Sequence, residues 1–144
     1  MYYYKYEEFT KDIETLYQLC KPYKPDIILA VARGGVTIGH FLSEKFKIRD
    51  LFTLNSIHYN ETEKLDTIKV YNIPKLPKGV KVLLVDDIVD SGESLKEIMG
   101  TLQKMYPKTT FKTASIFYKK DAIFKADFSI NETKEWIEFF WSNS

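Results

Sequence analysis

Two continuous apolar runs, Ile27-Ile28-Leu29-Ala30-Val31 and Val82-Leu83-Leu84-Val85, restrict this chain more than any other feature. Each is too short for a buried helix and lacks polar alternation. A strand covered on both faces meets both conditions, and such strands belong to parallel sheets. Segments of helical spacing surround them. Tyr6, Phe9, Ile13, Leu16, Tyr17 and Cys20 share one face of an N-terminal helix, which Pro22 and Pro25 stop. Arg33-Gly34-Gly35 breaks the first strand, and residues 36–46 read as a helix despite Gly39. Residues 51–57 predict a second strand, 58–67 a polar, mobile loop, and 69–73 a short strand leaving it. The turn Leu76-Pro77-Lys78-Gly79 introduces the second apolar run, which ends at Asp86-Asp87. A helix then starts near Ser94 and runs through Leu95, Ile98 and Leu102, with further strands at 111–118 and 127–130. Strands alternating with helices predict an α/β fold, a central parallel sheet flanked by helices. Ligands of such sheets gather at the carboxyl ends of the strands, where Arg33 and Asp86 both fall.

The 144 residues fit one domain spanning 1–144, and 44% hydrophobic with 28% charged residues is a globular balance. The net charge is +1, which argues against nucleic acid as a partner, since phosphate contacts demand a basic surplus. Any charged ligand must therefore be held by a local cluster. Cys20 is the single cysteine, so nothing suggests an oxidising compartment. No stretch approaches the roughly 20 apolar residues of a membrane span. The N-terminus, MYYYKYEEF, lacks the apolar run of a signal peptide, which makes a cytoplasmic protein the expectation. Aromatics reach 15%, read as rings filling a core.

The chemistry lies in the stretch from Val82 to Ser94. Four apolar residues bury a strand, Asp86-Asp87 deliver two adjacent carboxylates, Ile88-Val89 anchor the chain, and Asp90-Ser91-Gly92-Glu93-Ser94 turn into a helix. Backbone N–H groups, two hydroxyls and the positive end of the helix dipole make that turn an anion pocket. Carboxylates beside a phosphate cradle repel the phosphate itself. They suit sugar hydroxyls and a magnesium ion, so a phosphorylated ribose satisfies all these groups together.

This segment resembles the 5-phosphoribosyl-1-pyrophosphate (PRPP) signature of type I phosphoribosyltransferases. The shared order is an apolar strand, two acids, two apolar residues, then Asp-Ser-Gly-x-Ser. The resemblance implies the fold of that family, with a flexible hood loop and a small C-terminal base-binding segment. It implies that Asp86 and Asp87 fix the ribose, that Asp87 helps hold Mg2+, and that Asp90, Ser91, Gly92, Glu93 and Ser94 bind the phosphate end of PRPP. Glu93 is awkward there, an anion next to phosphate that is harmless if it points to solvent.

Arg33-Gly34-Gly35 taken alone reads as a glycine turn with a surface arginine. Beside the acidic segment it resembles the family's pyrophosphate loop, which assigns Ala32, Arg33 and Gly34 to pyrophosphate and implies a cis peptide at Ala32–Arg33. Near the C-terminus, Ile116-Phe117-Tyr118-Lys119-Lys120 and Trp136-Ile137-Glu138 resemble the bacterial xanthine-guanine branch. That implies a purine-binding set of Lys119 on the 6-oxo group, Trp136 stacking on the base and backbone near Ile137 facing position 2. Lys120 is the alternative donor, and a buried core Trp136 is the plain reading. Asp90 would sit beside N7, able to hydrogen-bond the base and assist proton movement, and with Asp86 and Asp87 makes up the implied catalytic set, though a helix N-cap is its ordinary role. Tyr59 aligns with a hood tyrosine, and His58 has no assigned role.

The implied activity is purine salvage: a Mg-dependent transfer of 5-phosphoribose from PRPP to N9 of guanine, xanthine or hypoxanthine, releasing pyrophosphate. The family also implies a homodimer or homotetramer. Two alternatives stand beside it: a non-catalytic PRPP or nucleotide sensor on the same fold, and a phosphoribosyltransferase for another base.

Overall fold

The structure, a computed structural model, describes residues 1–59 and 67–143. The chain runs β1 (Tyr2–Tyr4), α1 (Tyr6–Cys20), β2 (Ile27–Ala32), α2 (Val36–Phe46), β3 (Leu51–Tyr59), β4 (Thr67–Tyr71), β5 (Lys81–Val89), α3 (Glu93–Met105), β6 (Thr110–Tyr118), β7 (Phe128–Glu132) and β8 (Ile137–Phe139). Six strands form the main sheet in the order β4-β3-β2-β5-β6-β7, and β1 pairs with β8 apart from it. The two apolar runs are the adjacent central strands β2 and β5, paired in parallel from Ile27↔Val82 to Ala30↔Val85.

Side chains alternating along these strands feed two cores. Ile28, Ala30, Leu83 and Val85 pack with Phe9, Ile13 and Leu16 of α1 and Ile38 and Leu42 of α2. Ile27, Leu29, Val31, Val82 and Leu84 face the other way, onto Leu95, Ile98 and Leu102 of α3. Full burial of each Leu or Ile stabilises the fold by about 1.5–3 kcal/mol relative to exposure. Cys20 closes α1 against the first core with no exposed surface, and burial pushes its thiol up to about 12. A thiol reagent at neutral pH is therefore expected to leave the folded protein unlabelled and to label it once urea unfolds it. Labelling at equal rates in both states would contradict that burial.

Three elements differ from expectation. The strand expected at 69–73 is β4 and runs antiparallel to β3, from Asn55↔Tyr71 to Tyr59↔Thr67. A parallel return needs a crossover of about a dozen residues or more, and residues 60–66 are too few. The loop expected at 58–67 gives way at both ends to strand, since β3 continues through His58 and Tyr59 and β4 begins at Thr67. Its remainder lies outside the described residues.

The third difference positions the site. β5 does not stop at the acid pair but continues through Ile88 and Val89, paired with Phe117 and Tyr118 of β6. The β1–β8 pair was not visible as strands, because three-residue segments carry no readable period. It is fastened by rings: Tyr4 lies edge-on to Phe117 at 4.9 Å and to Phe139 at 5.9 Å. Among the described residues no helix is long and apolar enough to cross a membrane.

Candidate active site

The strand order reverses at β2 and β5, so the loops leaving their carboxyl ends flank one crevice. The loop after β2 is drawn close to β5. A Cβ on Gly35 would meet the Val85 carbonyl oxygen at 2.5 Å, and one on Gly34 would meet Asp87 Oδ2 at 2.3 Å. At Gly35 the clash is with backbone, so only glycine allows the approach there. The peptide between Ala32 and Arg33 is cis, where the resemblance put it.

The two acids occupy β5 itself, half-buried. Asp86 Oδ1 accepts from the Asp87 N–H at 2.8 Å, and Asp87 Oδ1 accepts from the Ile88 N–H at 2.7 Å. Burial holds the Asp86 carboxyl well above the usual carboxylate range, and the neighbouring Asp87 charge adds to it. Burial also raises Asp87, while hydrogen bonds to its carboxylate work against that rise. Among the described residues neither acid has a cationic ion-pair partner, and no cluster of three or more ligating side chains is assembled. Magnesium delivered with a phosphorylated substrate needs only one or two protein carboxylates. Two acids without a cation beside them fit that demand.

After β5 the chain turns through Asp90, Ser91 and Gly92 into α3. Gly92 has φ of 86°, and a Cβ there would lie 2.6 Å from the Phe124 backbone nitrogen. Ser91 Oγ accepts from the Glu93 N–H at 3.2 Å. Asp86, Asp90, Ser91, Gly92 and Ser94 line a cleft of ≈ 110 Å³ at this turn. Glu93 is not in that lining. Its carboxylate does not simply point to solvent either, but lies 3.9 Å from Nε2 of His58.

A second cleft, of ≈ 360 Å³, gathers Asp87, Asp90, Lys119, Trp136, Ile137 and Glu138 among its lining. Lys119 Nζ donates to Asp90 Oδ1 at 2.7 Å. The extension of β5 makes that meeting possible, since the Lys119 N–H donates to the Val89 carbonyl at 2.9 Å and continues the β5–β6 ladder. Asp90 is thus not the cap of α3, a position held by Gly92. Trp136 is 68% exposed, not a core residue, and forms part of the cleft wall, with Ile137 buried behind it. Lys120 is absent from this lining. Among the described residues, Glu138 Oε1 is buried without a hydrogen-bond partner.

A third cleft of ≈ 550 Å³ is lined by Arg33, Gly34, Thr37 and Asp87, and by Trp141, Ser142 and Asn143. Asp87, Ser142 and Asn143 line the second cleft as well, so the two are contiguous. Thr37, Trp141, Ser142 and Asn143 had no role in the sequence reading. The only signal was the aromatic run ending in Trp141, which has no period to read. A further cleft of ≈ 490 Å³ behind β1 contains Asp12, but that carboxylate already accepts from Tyr4 Oη at 2.7 Å and Asn131 Nδ2 at 2.9 Å.

The crevice at the switch point brings together the paired acids, the turn at Asp90, Ser91 and Gly92, and the loop at Gly34 and Gly35. The phosphoribosyl transferase domain family matches residues 5–144, and the chain belongs to that family. Among individual proteins, it is 30% identical over 118 residues to the xanthine-guanine phosphoribosyltransferase of Cereibacter sphaeroides, covering 79% of this chain and 67% of that protein. The Helicobacter pylori xanthine-guanine-hypoxanthine phosphoribosyltransferase superposes with a TM-score of 0.91 at 38% identity, covering 97% of this chain and 92% of that one. A purine phosphoribosyltransferase from Pyrococcus horikoshii gives 0.88 at 27% identity, covering 99% and 94%.

Proposed function

We propose that this phosphoribosyltransferase serves purine salvage, joining N9 of a 6-oxopurine to C1 of PRPP and releasing pyrophosphate. The observation that carries this reading is the second cleft, where Lys119, Asp90 and Trp136 converge and Asp87 opens onto the Arg33 loop. A cationic donor suits a carbonyl at position 6 of the ring and penalises an amino group there. Lys119 has three N–H donors, so it can keep Asp90 and donate to that oxygen at once. The Trp136 face offers stacking, and Asp90 stands ready to take the proton of the incoming base.

As the C1–oxygen bond to pyrophosphate lengthens, positive charge develops on the ribose, as in glycoside cleavage. Asp86 and Asp87 accept from the ribose hydroxyls, and the turn from Asp90 to Ser94 grips the 5′-phosphate. Arg33 and the backbone at Gly34 take the pyrophosphate oxygens. Asp87 is the residue to hold magnesium, which when bound neutralises charge on the leaving pyrophosphate. The protein contributes position and charge, not a covalent intermediate. Homo-oligomeric assembly and a cytoplasmic setting belong to the same reading.

The test is pyrophosphate release from PRPP with magnesium and each nucleobase in turn. Guanine, xanthine or hypoxanthine should drive it, and adenine, uracil and orotate should not. Lys119→Ala is expected to lower kcat/KM for 6-oxopurines about 10- to 100-fold, the worth of a charged hydrogen bond. Adenine as the preferred base of the unaltered protein would overturn the assignment.

A further inference from the structure

We propose that His58 is a positioning residue for the phosphate end of the substrate, acting through Glu93. When its imidazole is protonated it draws the Glu93 carboxylate off the positive end of α3, and phosphate binds more tightly. This rests on reading the 91–94 turn as the seat of the 5′-phosphate.

Glu93 is the first residue of α3, where the helix dipole attracts any anion. A phosphate bound at the turn and the Glu93 carboxylate compete for the same positive field. They also repel each other, well inside the screening length of about 10 Å at moderate salt. The cleft at the turn leaves Glu93 out of its lining, and the side chain instead reaches His58, at 3.9 Å.

The sheet places His58 there. Leu54, Ser56 and His58 alternate onto one face of β3, and Leu54 packs in the same core as Leu95 and Ile98 of α3. On β4, Ile68 stands opposite His58 in register. Lys69, the next residue, turns to the other face, its Nζ 5.6 Å from the Tyr71 ring. Along α3 the next charges near Glu93 are Lys96 and Glu97, one turn further on. Asp90 is held by Lys119. Among the described residues, Glu93 is the only ion-pair partner of His58.

The two side chains are 50% and 53% exposed, so their pairing adds little to folding stability. Its consequence is felt by the ligand. Imidazoles change charge between about pH 5 and 8. With the imidazole protonated the pair is neutral overall, and with it neutral Glu93 faces the phosphate uncompensated. The ligand's own second ionisation, near about pH 6, shifts affinity independently. Comparing variants at one pH cancels it.

Calorimetric titration of the full chain with ribose 5-phosphate, at about pH 5.5 and about pH 8.5, tests the proposal. At the lower pH the unaltered protein should bind about three- to fivefold more tightly than His58→Gln, the range of an exposed ion pair. At the higher pH the two should agree. His58→Lys, which keeps its charge, should bind tightly at both. In a Glu93→Gln background the His58→Gln change should have no effect. Measurable binding with the same pH profile in the unaltered protein and His58→Gln overturns this proposal and leaves the turn's assignment standing. No binding by the unaltered protein or Glu93→Gln at either pH overturns the assignment of the turn, and this inference with it.

Discussion

Asp90→Asn is expected to lower turnover about 10²- to 10⁴-fold, the usual contribution of a positioned acid or base, while PRPP affinity changes by no more than a few-fold. The substitution is nearly isosteric, and the amide oxygen can still accept from Lys119, which lies 2.7 Å from the carboxylate. Lost are the negative charge and the capacity to take a proton from the base. Asp90 also borders the small cleft at Ser91 and Gly92, so some change in PRPP affinity is expected there. Steady-state kinetics with a 6-oxopurine and a separate PRPP titration distinguish the two effects. Unchanged turnover would remove Asp90 from the chemistry. A matched loss of turnover and PRPP affinity would make it a binding residue alone.

Gly35→Ala should cost the fold about 3 kcal/mol, the upper range for overpacking a filled interior. The added Cβ would meet the Val85 carbonyl oxygen at 2.5 Å, the Asp86 Cα at 3.0 Å and the Val31 carbonyl oxygen at 3.0 Å. All three are backbone atoms of the two central strands, and none can rotate aside. The loss is read as a lower midpoint of denaturant unfolding with an unchanged slope. Activity should fall further than stability, because relief of the clash pushes the Arg33 loop away from Asp87. Gly100→Ala is the control. Its Cβ meets nothing within 4 Å, and it lies inside α3, so it should gain about 0.5–1 kcal/mol. A Gly35→Ala protein as stable as the unaltered one would mean that the loop does not lie against β5.

The elements legible in the sequence were those whose burial leaves a pattern. β2 and the first half of β5 are continuous apolar runs because helices cover both their faces, and α1 and α3 each show an apolar stripe. Asp86, Asp87, Arg33 and Gly34 could be placed near one another because both loops follow parallel strands. Elements set by tertiary pairing were not legible. Asp86, Asp87, Ile88 and Val89 mix polar and apolar residues with no strand period, yet β6 recruits Ile88 and Val89 by backbone hydrogen bonds. β1 and β8 are held by rings distant in sequence, such as Tyr4 against Phe117. Ser142 and Asn143 line two clefts and follow Trp141, which stacks on Phe139 at 4.7 Å, a contact no local pattern announces. His58 and Glu93 are separated by 35 positions, and only the shared face of β3 and α3 joins them.

The continuation of β5 beyond its acids bears on how this enzyme tolerates change. Asp90 and Lys119 each follow directly on the last rung of the β5–β6 ladder, Val89 opposite Tyr118, and the Lys119 N–H donates to the Val89 carbonyl, so the sheet sets where both backbones start. On the reading proposed above, the backbone carrying the base-facing pair is thus fixed by the sheet. On that reading, altered base preference is best sought around Trp136 and Asn143, because displacing the backbone of Asp90 or Lys119 would disturb the ladder it continues.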